Sequence, residues 1–158
     1  MHLKLRFMRN VLAVSILTLV GISGSAVAAD NLRLNSKLDY TSDSQDGPLI
    51  SGDHLEDGAS AGKVNYIIMY GEGCYNSKRQ ARRTVNLWER YKGLVNFVVV
   101  DLDHQQSKAQ EELVSKYYRG YIPHVVVLNK DGSPVYNQSG EVEESAISAV
   151  LERAVEAR

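Results

Sequence analysis

The chain has 158 residues, of which 44% are hydrophobic and 23% are charged, and it contains a single cysteine. This length and composition are typical of a globular protein with one main domain, and they exclude a disordered or collagen-like chain. The formal net charge is −1, so no excess of basic residues favours a nucleic-acid partner. One cysteine also excludes a disulfide bond within the chain.

The N-terminal segment has the pattern of a secretory signal peptide. Residues 1–10 carry three basic side chains and no acidic one, an almost wholly apolar run follows at 11–20, and the sequence Ala-Val-Ala at 26–28 fits a cleavage site. We therefore expect a signal peptide at 1–28 and export of the mature protein to the periplasm or out of the cell. The alternative is an uncleaved leader that anchors the chain in a membrane, because residues 11–29 carry no charge and approach the ~20 residues that span a bilayer.

Residues 29–61 are rich in serine, aspartate and glycine, and their apolar residues follow no sustained period. We interpret this stretch as a partly ordered lead-in to a domain that occupies residues 62–158. In that domain, short apolar runs alternate with amphipathic stretches. The predicted elements are, in chain order, a strand at 64–70, a helix after Gly73, a strand at 95–102, a helix at about 107–118, strands at 125–128 and near 135–136, and a helix at 143–157.

The order of these elements predicts an α/β fold. Two strands that alternate with helices imply a parallel pair joined by a right-handed crossover, and the turn at 129–132 predicts a closing antiparallel hairpin. We therefore expect a central mixed sheet, in the order β-α-β-α-β-β-α, flanked by helices. On the first helix, we expect a buried face that carries Ala81, Trp88 and Tyr91. Lys78 lies off this face.

Cys74 falls at the junction of the first predicted strand and the first predicted helix. The free N–H groups at the start of a helix favour an anion, so this position favours the thiolate, which is the nucleophilic form of cysteine. Lys78, Arg79 and Arg82 would add to this effect if they turned toward the sulfur, and Glu72 would oppose it. Two alternatives stay open, namely a buried and inert thiol and a disulfide-linked dimer through Cys74.

The segment Cys74-Tyr75-Asn76-Ser77 resembles the active-site segment of the thioredoxin-like superfamily, with Ser77 in place of the second cysteine of the CxxC motif. Two later segments, 100–103 and 119–123, resemble further motifs of the same superfamily. The likeness covers residues 62 to 155, and it is strongest for exported or membrane-tethered thioredoxin-like proteins of bacteria and plastids. The resemblance implies a thioredoxin fold.

The resemblance also implies roles for individual residues. Cys74 takes the place of the attacking nucleophile, and Pro123 that of the cis-proline that lies against the attacking sulfur. Ile122 takes the place of the residue whose backbone pairs with an extended substrate. Ser77 is then either a hydrogen-bond donor to the thiolate or an ordinary residue of the first helical turn. The tyrosines beside these motifs, Tyr75 and Tyr121, are expected to contact the substrate.

The departures from the superfamily pattern narrow the predicted chemistry. Gly73 replaces a tryptophan, and Ile68 replaces the buried acid that accepts a proton from the second thiol. Because the Ser77 hydroxyl cannot attack a mixed disulfide, the chain is not expected to reduce a disulfide alone. We predict thiol-disulfide exchange of the isomerase or mixed-disulfide type with protein clients, completed by an external thiol or redox partner. The alternative is a redox-inactive protein-binding module of the same fold.

We predict no cofactor and no metal site, because one cysteine and three histidines after residue 28 lack the close spacing of metal ligands. His54 and His104 are expected to be solvated loop residues. We interpret His124 as a strand histidine bonded to the backbone, in preference to a group that tunes the thiol. Asp101 and Asp103 are interpreted as acids at a strand end that share one face of the strand.

Overall fold

The computed structural model describes residues 28–44 and 47–157. All but the last residue of the predicted signal peptide at 1–28 therefore lies outside the described residues. No helix within the described ranges has the length and apolarity that a membrane crossing requires. The segment that we interpreted as a lead-in forms an antiparallel pair of strands, β1 (Asp30–Leu34) and β2 (Ile50–Asp53).

The main sheet has four strands and contains every predicted strand in its predicted order. Its elements along the chain are β3 (Val64–Tyr70), α1 (Tyr75–Tyr91), β4 (Val95–Asp101), α2 (Lys108–Tyr117), β5 (His124–Leu128), β6 (Pro134–Ser139) and α3 (Glu144–Glu156). The strands lie side by side in the order β4-β3-β5-β6, with β3 and β4 parallel and the other neighbours antiparallel. The predicted α/β architecture with a central mixed sheet is confirmed.

The central strand β3 is buried along its whole length because helices cover both faces of the sheet. Tyr66 and Ile68 join the apolar cluster that contains buried residues of α1 and α3, whereas Ile67 and Met69 join the cluster that contains residues of α2. Side chains along a strand alternate between its two faces. A strand covered on both faces therefore has a continuous apolar run, and this run made β3 recognisable in the sequence.

The placement of Lys78 outside the buried face of α1 was wrong. Its side chain is fully buried, and Nζ donates to the backbone oxygen of Asp39 at 2.6 Å and to Ser44 Oγ at 2.8 Å. The loop between β1 and β2 covers the first turn of α1 and supplies these acceptors, so a charged side chain is buried with hydrogen-bond partners. This loop is thereby attached to the end of α1 that carries Cys74.

Candidate functional site

Cys74 is the N-cap residue of α1, as its predicted position at the strand-helix junction requires. Its backbone is extended, with φ −96° and ψ 118°, and its carbonyl oxygen accepts the Lys78 N–H at 3.0 Å. The thiol makes no capping hydrogen bond, and the residue is half-buried. The sulfur thus lies at a helix start without being enclosed in the core.

An aspartate from the loop between β1 and β2 caps the same helix start. Asp43 Oδ1 accepts the N–H of Tyr75, the first residue of α1, at 2.6 Å. Free N–H groups at a helix start carry partial positive charge and are stabilised by a carboxylate. The Asp43 carboxylate therefore binds one of the N–H groups whose positive charge would also stabilise a Cys74 thiolate. Sequence reasoning missed Asp43 because no local motif marks a cap supplied from outside the helix.

Ser77, at the position of the second cysteine of the CxxC motif, lies inside the protein. The whole residue is buried. Its Oγ atom has no hydrogen-bond partner among the described residues, Cys74 included. A hydroxyl removed from water without a partner costs free energy. The side chain therefore occupies a position suited to an apolar or sulfur-containing residue, one helical turn after Cys74.

The loop that carries Cys74 lies against the segment before β5. The Ile122–Pro123 peptide bond is cis, and β5 pairs with β3 so that His124 lies opposite Met69. A Cβ atom added at Gly71 would lie 2.6 Å from Ile122 Cδ1, so the loop after β3 passes close to this segment. The cis-proline segment and the Cys74 loop therefore meet at one end of the sheet.

The predicted substrate-contacting residues differ in exposure. Tyr121 is 74% exposed, Ile122 and Tyr75 are half-buried, and Pro123 is buried. The guanidinium of Arg79 lies 4.9 Å from the centre of the Tyr75 ring, a cation–π contact. A partly apolar surface thus flanks the end of the sheet at which Cys74 is found.

The basic side chains of α1 are engaged with groups other than the sulfur. Arg79 forms an ion pair with Glu141, and the guanidinium of Arg82 lies 5.4 Å from the centre of the Tyr40 ring. Lys78 is bonded to the loop between β1 and β2. The contacts described for these three side chains are thus with Glu141, with Tyr40 and with the loop between β1 and β2.

His124 is buried and bonded to side chains, so the predicted bond to the backbone was wrong. Its Nδ1 lies 2.8 Å from Ser139 Oγ and its Nε2 lies 2.7 Å from Asn137 Oδ1, both on the neighbouring strand β6. Burial lowers the pKa of His124, and the positive charge of Arg119 lowers it further, against an opposite effect of the Asn137 bond. The neutral ring is satisfied by one donated and one accepted hydrogen bond.

Acidic side chains and one histidine gather beyond the ends of β3 and β4. Asp101 is the last residue of β4, whereas Asp103 lies in the following turn and its Oδ2 accepts the Glu72 N–H at 2.7 Å. The two aspartates therefore do not share a strand face, because the chain turns after Asp101. His104 is partly exposed as expected, yet its Nδ1 lies 3.1 Å from Glu72 Oε1 and 3.3 Å from Asp101 Oδ2. Burial, followed by repulsion from Asp101, raises the pKa of Glu72.

A four-stranded mixed sheet covered by helices, with a cysteine at the start of the first helix and a cis-proline at the same end of the sheet, defines a thioredoxin-like fold. Comparison with solved structures shows the same fold. An uncharacterised thioredoxin-like protein from Clostridium perfringens superimposes with a TM-score of 0.52 at 20% sequence identity, over 62% of this chain and 76% of that protein.

Two curated thioredoxin-like proteins are similar to this chain in sequence. The chloroplastic thioredoxin-like protein HCF164 of Oryza sativa subsp. japonica and that of Arabidopsis thaliana are each 27% identical to this chain over 118 residues. The matched stretch is 75% of this chain and 44% of each relative, so the chain spans less than half the length of the curated relatives. No protein-family model matches the chain.

Proposed function

We propose that the chain is an exported thiol-disulfide exchange protein in which Cys74 is the single nucleophile. The observation that carries the proposal is the position of Cys74, half-buried at the start of α1 and at the same end of the sheet as the cis Ile122–Pro123 bond. A thiol at a helix start is in the setting that favours attack on a disulfide. Export rests on the sequence pattern of residues 1–28, and N-terminal sequencing of the mature protein tests it.

The reaction consists of two exchange steps. The Cys74 thiolate attacks one sulfur of a client disulfide, a bond forms between Cys74 and that sulfur, and the other client sulfur leaves as a thiolate. A serine hydroxyl does not resolve this mixed disulfide, so Ser77 leaves the intermediate in place. A second client thiolate then attacks the client sulfur and releases Cys74, which rearranges the disulfides without net oxidation. If an external thiol attacks the mixed disulfide instead, it releases Cys74 and forms a new mixed disulfide with the client. A second external thiol then attacks that bond, so the client disulfide is reduced and the two external thiols are oxidised to a disulfide.

The segment before β5 is proposed to hold the client. The backbone of Ile122 would pair with an extended client segment beside Pro123, and the exposed ring of Tyr121 would pack on it. Tyrosine suits this role because it combines a large apolar surface with a hydroxyl group. Tyr75 lies at the start of α1, where it would contact the same client from the other side of Cys74.

The experiment that tests the proposal is incubation of the folded protein with glutathione disulfide and with a disulfide-containing peptide. Intact-mass measurement should show one adduct on the wild type and none on Cys74→Ser. Reactivation of a client with scrambled disulfides should likewise depend on Cys74 and on added thiol. A Cys74 thiol that reacts only after denaturation would overturn the proposal, because it would be an inert buried thiol.

The second candidate is a redox-inactive module that binds proteins through the same surface. Ser77 favours it, because a serine in the second motif position removes the dithiol cycle. In that case Cys74→Ser retains client binding and Tyr121→Ala loses it.

If Cys74 instead links two copies of the chain, the protein from its native compartment migrates as a dimer on a non-reducing gel.

A further inference from the structure

Three side chains with metal-ligating atoms meet beyond the ends of the parallel strands β3 and β4. Glu72 follows β3, Asp101 ends β4 and His104 lies in the turn that follows. One ligand atom from each residue lies within 4.8 Å of those of the other two. The register of the two strands places Tyr70 opposite Asp101, so the fold brings together residues that are about 30 positions apart in the sequence.

Two carboxylate oxygens in this cluster are buried without hydrogen-bond partners. Glu72 is 6% exposed, and neither its Oε1 nor Asp101 Oδ2 has a hydrogen-bond partner in the described part of the chain. The Nδ1 atom of His104 is close to both oxygens, at 3.1 and 3.3 Å, without the geometry of a hydrogen bond to either. Buried charged oxygens of this kind are normally paired or coordinate a metal ion.

The surrounding loop holds these ligand atoms in place through its other polar groups. Asp101 Oδ1 accepts the Asp103 N–H at 3.1 Å, and Asp103 Oδ2 accepts the Glu72 N–H at 2.7 Å. The backbone of the loop is therefore fixed by one oxygen of Asp101 and by Asp103. The second oxygen of Asp101, Oδ2, faces His104 Nδ1 at 3.3 Å and takes no part in fixing the loop backbone.

We infer that Glu72, Asp101 and His104 form a binding site for a divalent transition-metal ion of the zinc type. One imidazole and two carboxylates suit Zn²⁺, whereas Mg²⁺ and Ca²⁺ favour all-oxygen sites with more ligands. A cation among these atoms would neutralise two carboxylates that repel each other. It would also give the buried oxygens a direct bond, which His104 Nδ1 at 3.1 and 3.3 Å does not supply.

Solvent reaches the site from the side of His104. The His104 side chain is 56% exposed, and Asp101 and His104 line a cavity of about 290 Å³ that also contacts Tyr70 and Gln110. Three protein ligands leave the fourth position of a tetrahedral zinc ion to water. Ligand spacing along the sequence does not reveal this site, because its residues are neighbours only after the two strands have paired.

The test is calorimetric titration of the full chain with ZnCl₂ in the Cys74→Ser background, which removes the thiol as a competing ligand. We expect one ion per chain. His104→Asn should weaken binding roughly tenfold or more, since loss even of an outer-shell partner costs 10–100-fold. The matched control is His54→Asn, which replaces an exposed loop histidine outside the cluster and should bind as the parent does. The melting temperature of the parent should rise with zinc concentration.

A second measurement, nuclear magnetic resonance, is made on the parent protein and so does not require the His104→Asn variant to fold. The side-chain nitrogen resonances of His104 in the parent should shift to the range of a metal-bound imidazole at Nδ1 when ZnCl₂ is added. Failure to bind zinc, equal binding by His104→Asn, or a shift confined to other histidines would each overturn the inference. So would a His104 ring that carries a proton between the two carboxylates and keeps it in the presence of zinc. Because the readout is metal binding, the outcome is independent of whether Cys74 exchanges disulfides.

Discussion

Removal of the Ser77 hydroxyl should stabilise the protein, although the residue is fully buried. The Oγ atom has no hydrogen-bond partner among the described residues, and an unpartnered buried hydroxyl costs about 1–3 kcal/mol. Ser77→Ala removes that cost and loses only the dispersion contacts of one oxygen atom, each worth ~0.1–0.2 kcal/mol. We expect a net gain of about 1 kcal/mol in the free energy of unfolding, or roughly 2–4 °C in Tm.

The matched control is Ser148→Ala in α3. Ser148 is also buried, but its Oγ accepts a hydrogen bond from Arg90 Nη1 at 2.8 Å. Loss of that bond should cost about 1 kcal/mol. Both variants replace a helical serine by alanine, so the gain in helix propensity is similar in the two and cancels in their difference. The two free energies of unfolding should therefore differ by about 2 kcal/mol.

Urea unfolding followed by circular dichroism, at fixed pH and with the thiol reduced, measures both variants. The rate at which Cys74 forms an adduct with glutathione disulfide serves as a second readout and should not change in Ser77→Ala. A destabilised Ser77→Ala protein would refute the reasoning, as would a several-fold slower adduct. Either result would mean that the hydroxyl has a partner, such as the Cys74 thiolate.

Three further predictions concern the surroundings of the site. Lys78→Met removes the donor that bonds Asp39 O and Ser44 Oγ, which should lower the free energy of unfolding by about 2 kcal/mol. The loop between β1 and β2 should then be cleaved more easily in limited proteolysis. Unchanged cleavage would mean that Lys78 does not hold this loop on α1. Gly71→Ala places a Cβ 2.6 Å from Ile122 Cδ1, so the end of the Ile122 side chain must shift. Urea unfolding should show a loss of about 1 kcal/mol, at the low end for overpacking because this side chain is flexible, and an unaffected protein would mean that the Ile122 side chain moves without cost. The pKa of His124 is lowered in the folded protein, so below about pH 6.5 the unfolded state binds a proton that the folded state does not. The free energy of unfolding in urea should therefore fall between pH 7.5 and pH 5.5. This pH dependence should weaken in His124→Gln.

Local pattern was enough for the elements of the main sheet and for the place of Cys74. The continuous apolar run of β3 and the helical period of α1 depend on residues that are close in sequence, so the boundary between them located Cys74. Such patterns do not identify contacts with distant segments. Lys78 illustrates this limit, because a lysine on an amphipathic helix is normally solvated and only the loop from residues 39–44 buries it.

The sequence by itself determined the α/β order, the helix-start cysteine and the absence of a second thiol, since these follow from residue types and local periodicity. Tertiary structure alone decided that Asp43 caps α1, that Ser77 is buried with no hydrogen-bond partner in the described part of the chain, and that the Glu72 region meets the end of β4. These features depend on side chains separated by many residues, and chain folding rather than local propensity sets the distances between them. The chemistry expected of Cys74 was thus readable in the sequence, whereas the charges and hydrogen bonds that surround it required the fold.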